Sequence, residues 1–144
     1  MTVTVVVLVL AAAVAAALGW TWQRGTGTVR PGTLERVEPD HVALPEQAFG
    51  REATMLLFTS QQDDRTAPVR AALADLQRPG VRIAEVDLTA RGDLAGRYAV
   101  TRTPSVLVLD ADRRLRTRVK GPAEPAVLRD ALERALDGPP RPRG

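Results

Sequence analysis

The chain of 144 residues contains no cysteine. That excludes disulfides, thiolate nucleophiles and thiolate metal sites, and it removes the usual clue to redox compartment. Histidine is represented by His41 alone, with no second histidine or cysteine beside it in sequence. We read it as a solvated loop residue rather than a metal ligand. Aromatic residues make up 3% of the chain, so any core must be built mainly from Leu, Val and Ala. Lysine is nearly absent: of 20 basic residues, only Lys120 is not arginine. With abundant Ala, Gly and Pro, this has the look of a GC-rich genome, and a pI near 10.5 carries little functional weight. The net charge of +3, with acids and bases intermixed and no basic stripe carrying aromatics, argues against a nucleic-acid partner.

What is present begins with an uncharged run, Val3 to Trp22, closed by Trp20 and Trp22 and then by Gln23 and Arg24. Twenty helical residues at about 1.5 Å each match a hydrocarbon core of about 30 Å, and the two tryptophans fall where an interfacial belt would place them. No basic n-region precedes the run, which favours an uncleaved single-pass anchor over a secretory signal. Arg24, Arg30 and Arg36 all follow it, so the domain is expected on the cytoplasmic side of a cell membrane, with an extracytoplasmic or secreted domain as the alternative. Four segments result: an anchor over 1–23, a linker over 24–45, a folded domain over 46–137 and a disordered basic tail over 138–144. Gly25, Gly27, Pro31, Gly32, Pro39 and Pro45 punctuate the linker, which leaves room for one short strand near Leu34 to Val37.

Within the domain, Met55-Leu56-Leu57-Phe58 reads as a strand buried on both faces, Ala53 to Ser60, after a helical turn at Pro45 to Gly50. Val69, Ala72, Leu73 and Leu76 share a helix face after Thr66 as N-cap, and Pro79-Gly80 stops the helix. Val81 to Leu88 is a second strand and Asp93 to Tyr98 a short helix. Val106 to Leu109 and Leu115 to Lys120 form a hairpin about Asp110-Ala111-Asp112-Arg113. Glu124 to Leu136 is an amphipathic helix. Thr103-Pro104 directly before a strand suggests a cis bond at a functional surface. The order β-α-β-α-β-β-α predicts an α/β fold, a mixed central sheet with helices on both faces, preceded by one transmembrane helix.

These elements, and above all Tyr98 to Leu109 with Thr103-Pro104 at its centre, resemble the thioredoxin-like family over about Ala53 to Leu136. The anchor followed by arginines is similar to membrane-tethered thioredoxin family proteins of actinobacteria. The resemblance implies a C-x-x-C pair after the first central strand. Counted from Phe58 it falls on Asp63-Asp64-Arg65-Thr66, and other anchor points shift it to Gln61–Asp64 or Ser60–Asp63; no register holds a cysteine. The family's tryptophan before the first cysteine is Gln62 here, and its buried carboxylate is Leu57. Nucleophile, resolving thiol and proton relay are all missing, which makes this a degenerate member for which thiol–disulfide chemistry is excluded and no catalytic residue is assigned.

A hydroxyl cannot exchange a disulfide and needs an activating base to attack at all, and no histidine lies in the domain. Asp63 and Asp64 are adjacent, so they point apart, and a solvated loop with acids near a helix N-terminus is preferred to catalysis or a cation site. No cofactor or metal is called. In the resembled family, backbone beside the cis-proline pairs with an extended peptide, an interaction that needs no thiol. The expected site is therefore a peptide-binding surface of Thr103, Pro104, Asp63, Asp64 and Thr66. The expected function is a non-catalytic module for an unknown protein or peptide partner. The alternatives are an enzyme or thiol–disulfide pathway component relying on a partner's thiols or a cofactor, and a structural subunit of a membrane complex.

Overall fold

The computed structural model describes residues 2–23, 28–61 and 63–138, with side chains of the first helix described over 3–14. Helix α1 spans Thr2–Gln23. The expected anchor therefore runs beyond the described side chains, and among the described residues no helix is long and apolar enough to cross a membrane. The chain continues as β1 (Thr28–Pro31), α2 (Pro39–Val42), a 3₁₀ turn (Glu46–Ala48), β2 (Ala53–Thr59), α3 (Thr66–Ala74) and β3 (Val81–Asp87). It ends with α4 (Gly92–Arg97), β4 (Ser105–Asp110), β5 (Leu115–Lys120) and α5 (Pro125–Leu136).

The strands form one mixed sheet in the order β1-β5-β4-β2-β3. Only β2 and β3 run parallel, with Met55 opposite Ile83; the other pairs are antiparallel. Strand β2 is buried at every position because both faces of the sheet are covered. Met55 and Leu57 face Val106, Val108 and Val119, under Leu73 of α3 and Leu128 and Leu132 of α5. Leu56 and Phe58 face the other way, packing with Leu107, Leu109, Leu94 and Tyr98. The continuous apolar run is thus two alternating sets, each closing its own half of the core. The hairpin forms as expected: Asp110 Oδ1 accepts from the backbone N–H groups of Asp112 (2.9 Å) and Arg114 (3.0 Å).

The linker expectation is corrected for residues 28–45. They belong to the folded body: β1 pairs with β5, and Val37 and Val42 are buried in the second core cluster. The strand lies at Thr28–Pro31, earlier than the expected Leu34 to Val37, where Arg36 makes a single bridge to Arg114. Gly32 is required by close approach, since a Cβ there would sit 2.0 Å from the Leu115 carbonyl oxygen. Pro31 ends β1, Pro39 opens α2 and Pro45 precedes the 3₁₀ turn, all within a segment tied to the sheet and not a free tether. The expected basic tail at 138–144 lies outside the described residues beyond Gly138, as does Gln62.

Candidate functional site

The Thr103–Pro104 peptide is cis, and it stands at the entrance to β4. Pro104 is buried and Thr103 half-buried. Opposite them, the loop after β2 carries Ser60, Asp63, Asp64 and Arg65 to the first turn of α3. The loop is folded by its own polar groups. Asp63 Oδ1 accepts from the Arg65 backbone N–H at 3.1 Å, and the Asp63 carbonyl accepts from the Thr66 N–H at 3.3 Å. Such local bonding is what aspartate supplies before a helix. Thr66 is consequently not the N-cap. Arg65 holds that position without a side-chain cap, and Thr66 is the first helical residue, buried, with its Oγ1 unpartnered.

Three residues lock together across the gap. The Thr103 hydroxyl donates to Asp63 Oδ2 at 2.8 Å. Arg65 grips the same carboxylate with Nε to Oδ1 at 2.9 Å and Nη2 to Oδ2 at 3.0 Å. Its Nη2 also donates to the Thr103 carbonyl at 2.9 Å. Ser60 Oγ lies 3.4 Å from Thr103 Oγ1. The Asp63 side chain is 6% exposed and that of Arg65 56%. The hydrogen bond from Arg65 is the chief cause that lowers the Asp63 carboxyl to about 2, with Thr103 adding to it against partial desolvation. This carboxylate stays ionised at any ordinary pH and has no proton to give.

Beside the network lies an open groove of about 410 Å³ over the carboxyl ends of β2 and β3, lined among others by Ser60, Asp64, Thr66, Arg70, Glu85 and Asp87. Arg70 clasps Glu85 through Nε at 2.9 Å and Nη2 at 2.6 Å, lowering the Glu85 pKa. Asp87 accepts from the Thr89 N–H at 2.8 Å, which holds its pKa down as well. Asp64 faces solvent. The lining carries four carboxylates; Asp63 is paired with Arg65 and Glu85 with Arg70, which leaves Asp64 and Asp87 without an arginine partner among the described residues. Among the described residues no group of three or more His, Asp or Glu side chains converges to hold a metal ion.

Of the residues expected from sequence, Thr103, Pro104 and Asp63 come together, while Asp64 and Thr66 line the adjoining groove. Ser60 and Arg65 lie within the expected 60–66 surface but were not singled out as contributors; the D-x-R spacing of Asp63 and Arg65 was the available signal. His41 is corrected too: rather than a freely solvated loop residue, it is half-buried, its Nδ1 lies 3.1 Å from Arg97 Nη2, and its carbonyl accepts from Arg91 at 3.2 Å.

No protein-family model matches the chain, and no curated protein does. Solved structures do match. A mutant thioredoxin from Halobacterium salinarum NRC-1 aligns over 73% of this chain and 90% of its own, at 14% identity and a TM-score of 0.57. The thioredoxin of Fasciola hepatica aligns over 62% and 85%, at 27% identity and 0.50. That of Malassezia sympodialis aligns over 74% and 95%, at 16% identity and 0.53. The fold is thioredoxin-like, and it is built here without cysteine. The narrower likeness to membrane-tethered actinobacterial proteins gains no support from these matches.

Proposed function

We propose that this chain is a non-catalytic binding module on a thioredoxin-like fold, held at a membrane by its N-terminal helix, and that it takes an extended, basic segment of a protein partner. One observation carries the reading: the place expected for exchange chemistry is filled by the Asp63–Arg65–Thr103 network, beside a groove whose lining is predominantly acidic. Asp63 and Glu85, already paired with Arg65 and Arg70, do not shuttle protons, while Asp64 and Asp87 carry no arginine partner among the described residues and supply the charge that would attract a cation. A basic segment in the groove would compete with Arg65 for Asp63 and so free the Thr103 carbonyl to accept from the partner's backbone. Membrane attachment rests on the uncharged run of residues 3–22.

Partner capture by the full chain tests this reading. We expect Asp64→Lys combined with Asp87→Asn to lose the partners that the wild type retains, since the first reverses a solvent-facing charge and the second keeps the acceptor for Thr89. Retention of the same partners would contradict the groove assignment. An insulin-reduction assay should show no turnover, and turnover above the uncatalysed rate would refute the non-catalytic part. Sedimentation with membranes after an alkaline wash is the expected behaviour of the full chain; complete release would remove the anchor.

A further inference from the structure

The β1–β5 edge of the sheet, across from the β2–β3 groove, carries a second charged surface with the reverse sign. In the antiparallel β1–β5 pair Arg30 lies directly opposite Arg118, and Thr28 opposite Lys120. Across β5, Arg118 stands opposite Leu107 and Lys120 opposite Ser105. Residues paired in this way point to one face, and alternate residues share it, so Arg30, Arg118 and Lys120 emerge together. Arg102 joins them, since its guanidinium lies over Gly121, where a Cβ would come within 3.0 Å of its Nε.

Like charges directly opposite on a sheet repel. Here nothing internal relieves them: among the described residues none of these four cations makes an ion pair, and the Nε of Arg118 is buried without a partner. The neighbouring Arg116 differs, with Asp110 Oδ2 at 3.0 Å from its Nε. Such a ledge calls for an external anion.

Two observations identify that anion's source. Strand β1 begins five residues after α1 ends, so the ledge is tethered within roughly 18 Å of the helix terminus. Every described side chain of α1 over residues 3–14 is exposed, although eleven of the twelve are Val, Leu or Ala in a helix apolar on all sides. A helix of that kind needs an apolar medium around it. We infer that the ledge of Arg30, Arg102, Arg118 and Lys120 docks on the anionic headgroups of the bilayer that receives α1. This inference rests on the membrane-anchor reading. Each cation near an anionic leaflet contributes a factor of about five to the docked population, and salt screens it.

The test uses the full chain in vesicles of phosphatidylcholine alone and of phosphatidylcholine mixed with phosphatidylserine, each with a paramagnetic headgroup label. Amide relaxation is read over 28–31 and 115–120. We expect strong enhancement only with phosphatidylserine. It should fall about fivefold in docked-to-undocked ratio for each of Arg30→Gln, Arg118→Gln and Lys120→Gln, and fade with added salt. Equal relaxation in both vesicles, with the chain inserted in both, overturns the ledge proposal and leaves the anchor standing. A chain that enters neither vesicle overturns both. Enhancement that is absent with lipid, while the same amides shift on adding an acidic peptide, would assign the ledge to a protein instead.

Discussion

The two polar edges of the sheet make opposite use of arginine. On the Thr103 side, Arg65 and Arg70 each clasp a carboxylate, and Arg65 also binds the Thr103 carbonyl. At the β1–β5 edge, Arg30 and Arg118 oppose each other with no carboxylate between them. The first arrangement satisfies itself and contributes to folding without any ligand. The second is a standing repulsion, eased because Arg30 is exposed and Arg118 partly so. Charge count alone would not separate these edges; partnering does.

The comparison can be broken most severely at Gly32. Replacing it with Val sets a side chain against the Leu115 carbonyl and prises β1 from β5. We expect a loss of about 3 kcal/mol in urea denaturation, with the Asp63 network untouched. Next comes Asp63→Asn, which leaves Arg65 and the Thr103 hydroxyl poorly matched. The expected cost is about 1 kcal/mol, modest because Arg65 is solvent-screened. Its pH dependence has a defined sign. The Asp63 carboxyl is lowered from 3.8 to about 2 in the folded chain, so its contribution is complete above the unfolded value and lost as pH falls toward 2. The difference between wild type and variant should therefore be constant near neutrality and shrink through that acid window. The smallest effect has the opposite sign: Arg30→Thr removes one member of the opposed pair and should stabilise the chain by about 0.5 kcal/mol, less at high salt.

The strands and helices from Ala53 to Leu136 were legible because period and punctuation agreed there: Met55 to Phe58 as a run, Val127, Leu128, Ala131 and Leu132 as a helix face, Asp110 to Arg113 as a turn. Residues 28–45 were not legible. Val29, Val37 and Val42 are isolated apolar residues with no period, and the strand that pairs with Val29 lies near Val119, far along the chain. Non-local pairing leaves no local pattern to read. The site was half legible. Thr103-Pro104 announced itself by its place before a strand, and adjacent Asp63 and Asp64 were expected to diverge, as they do. Arg65 escaped notice because its two acceptors, the Asp63 carboxylate and the Thr103 carbonyl, meet only when β2 and β4 pair.

The central claim is that the acidic groove beside Thr103 receives a basic protein segment. Photo-crosslinking from position 64 of the full chain in its native host addresses it most directly. The account predicts a discrete partner adduct at position 64, absent from a control site at position 129 on the exposed side of α5, and lost with Asp87→Asn and Glu85→Gln together. Equal labelling at both sites, or an adduct indifferent to those two substitutions, would contradict it.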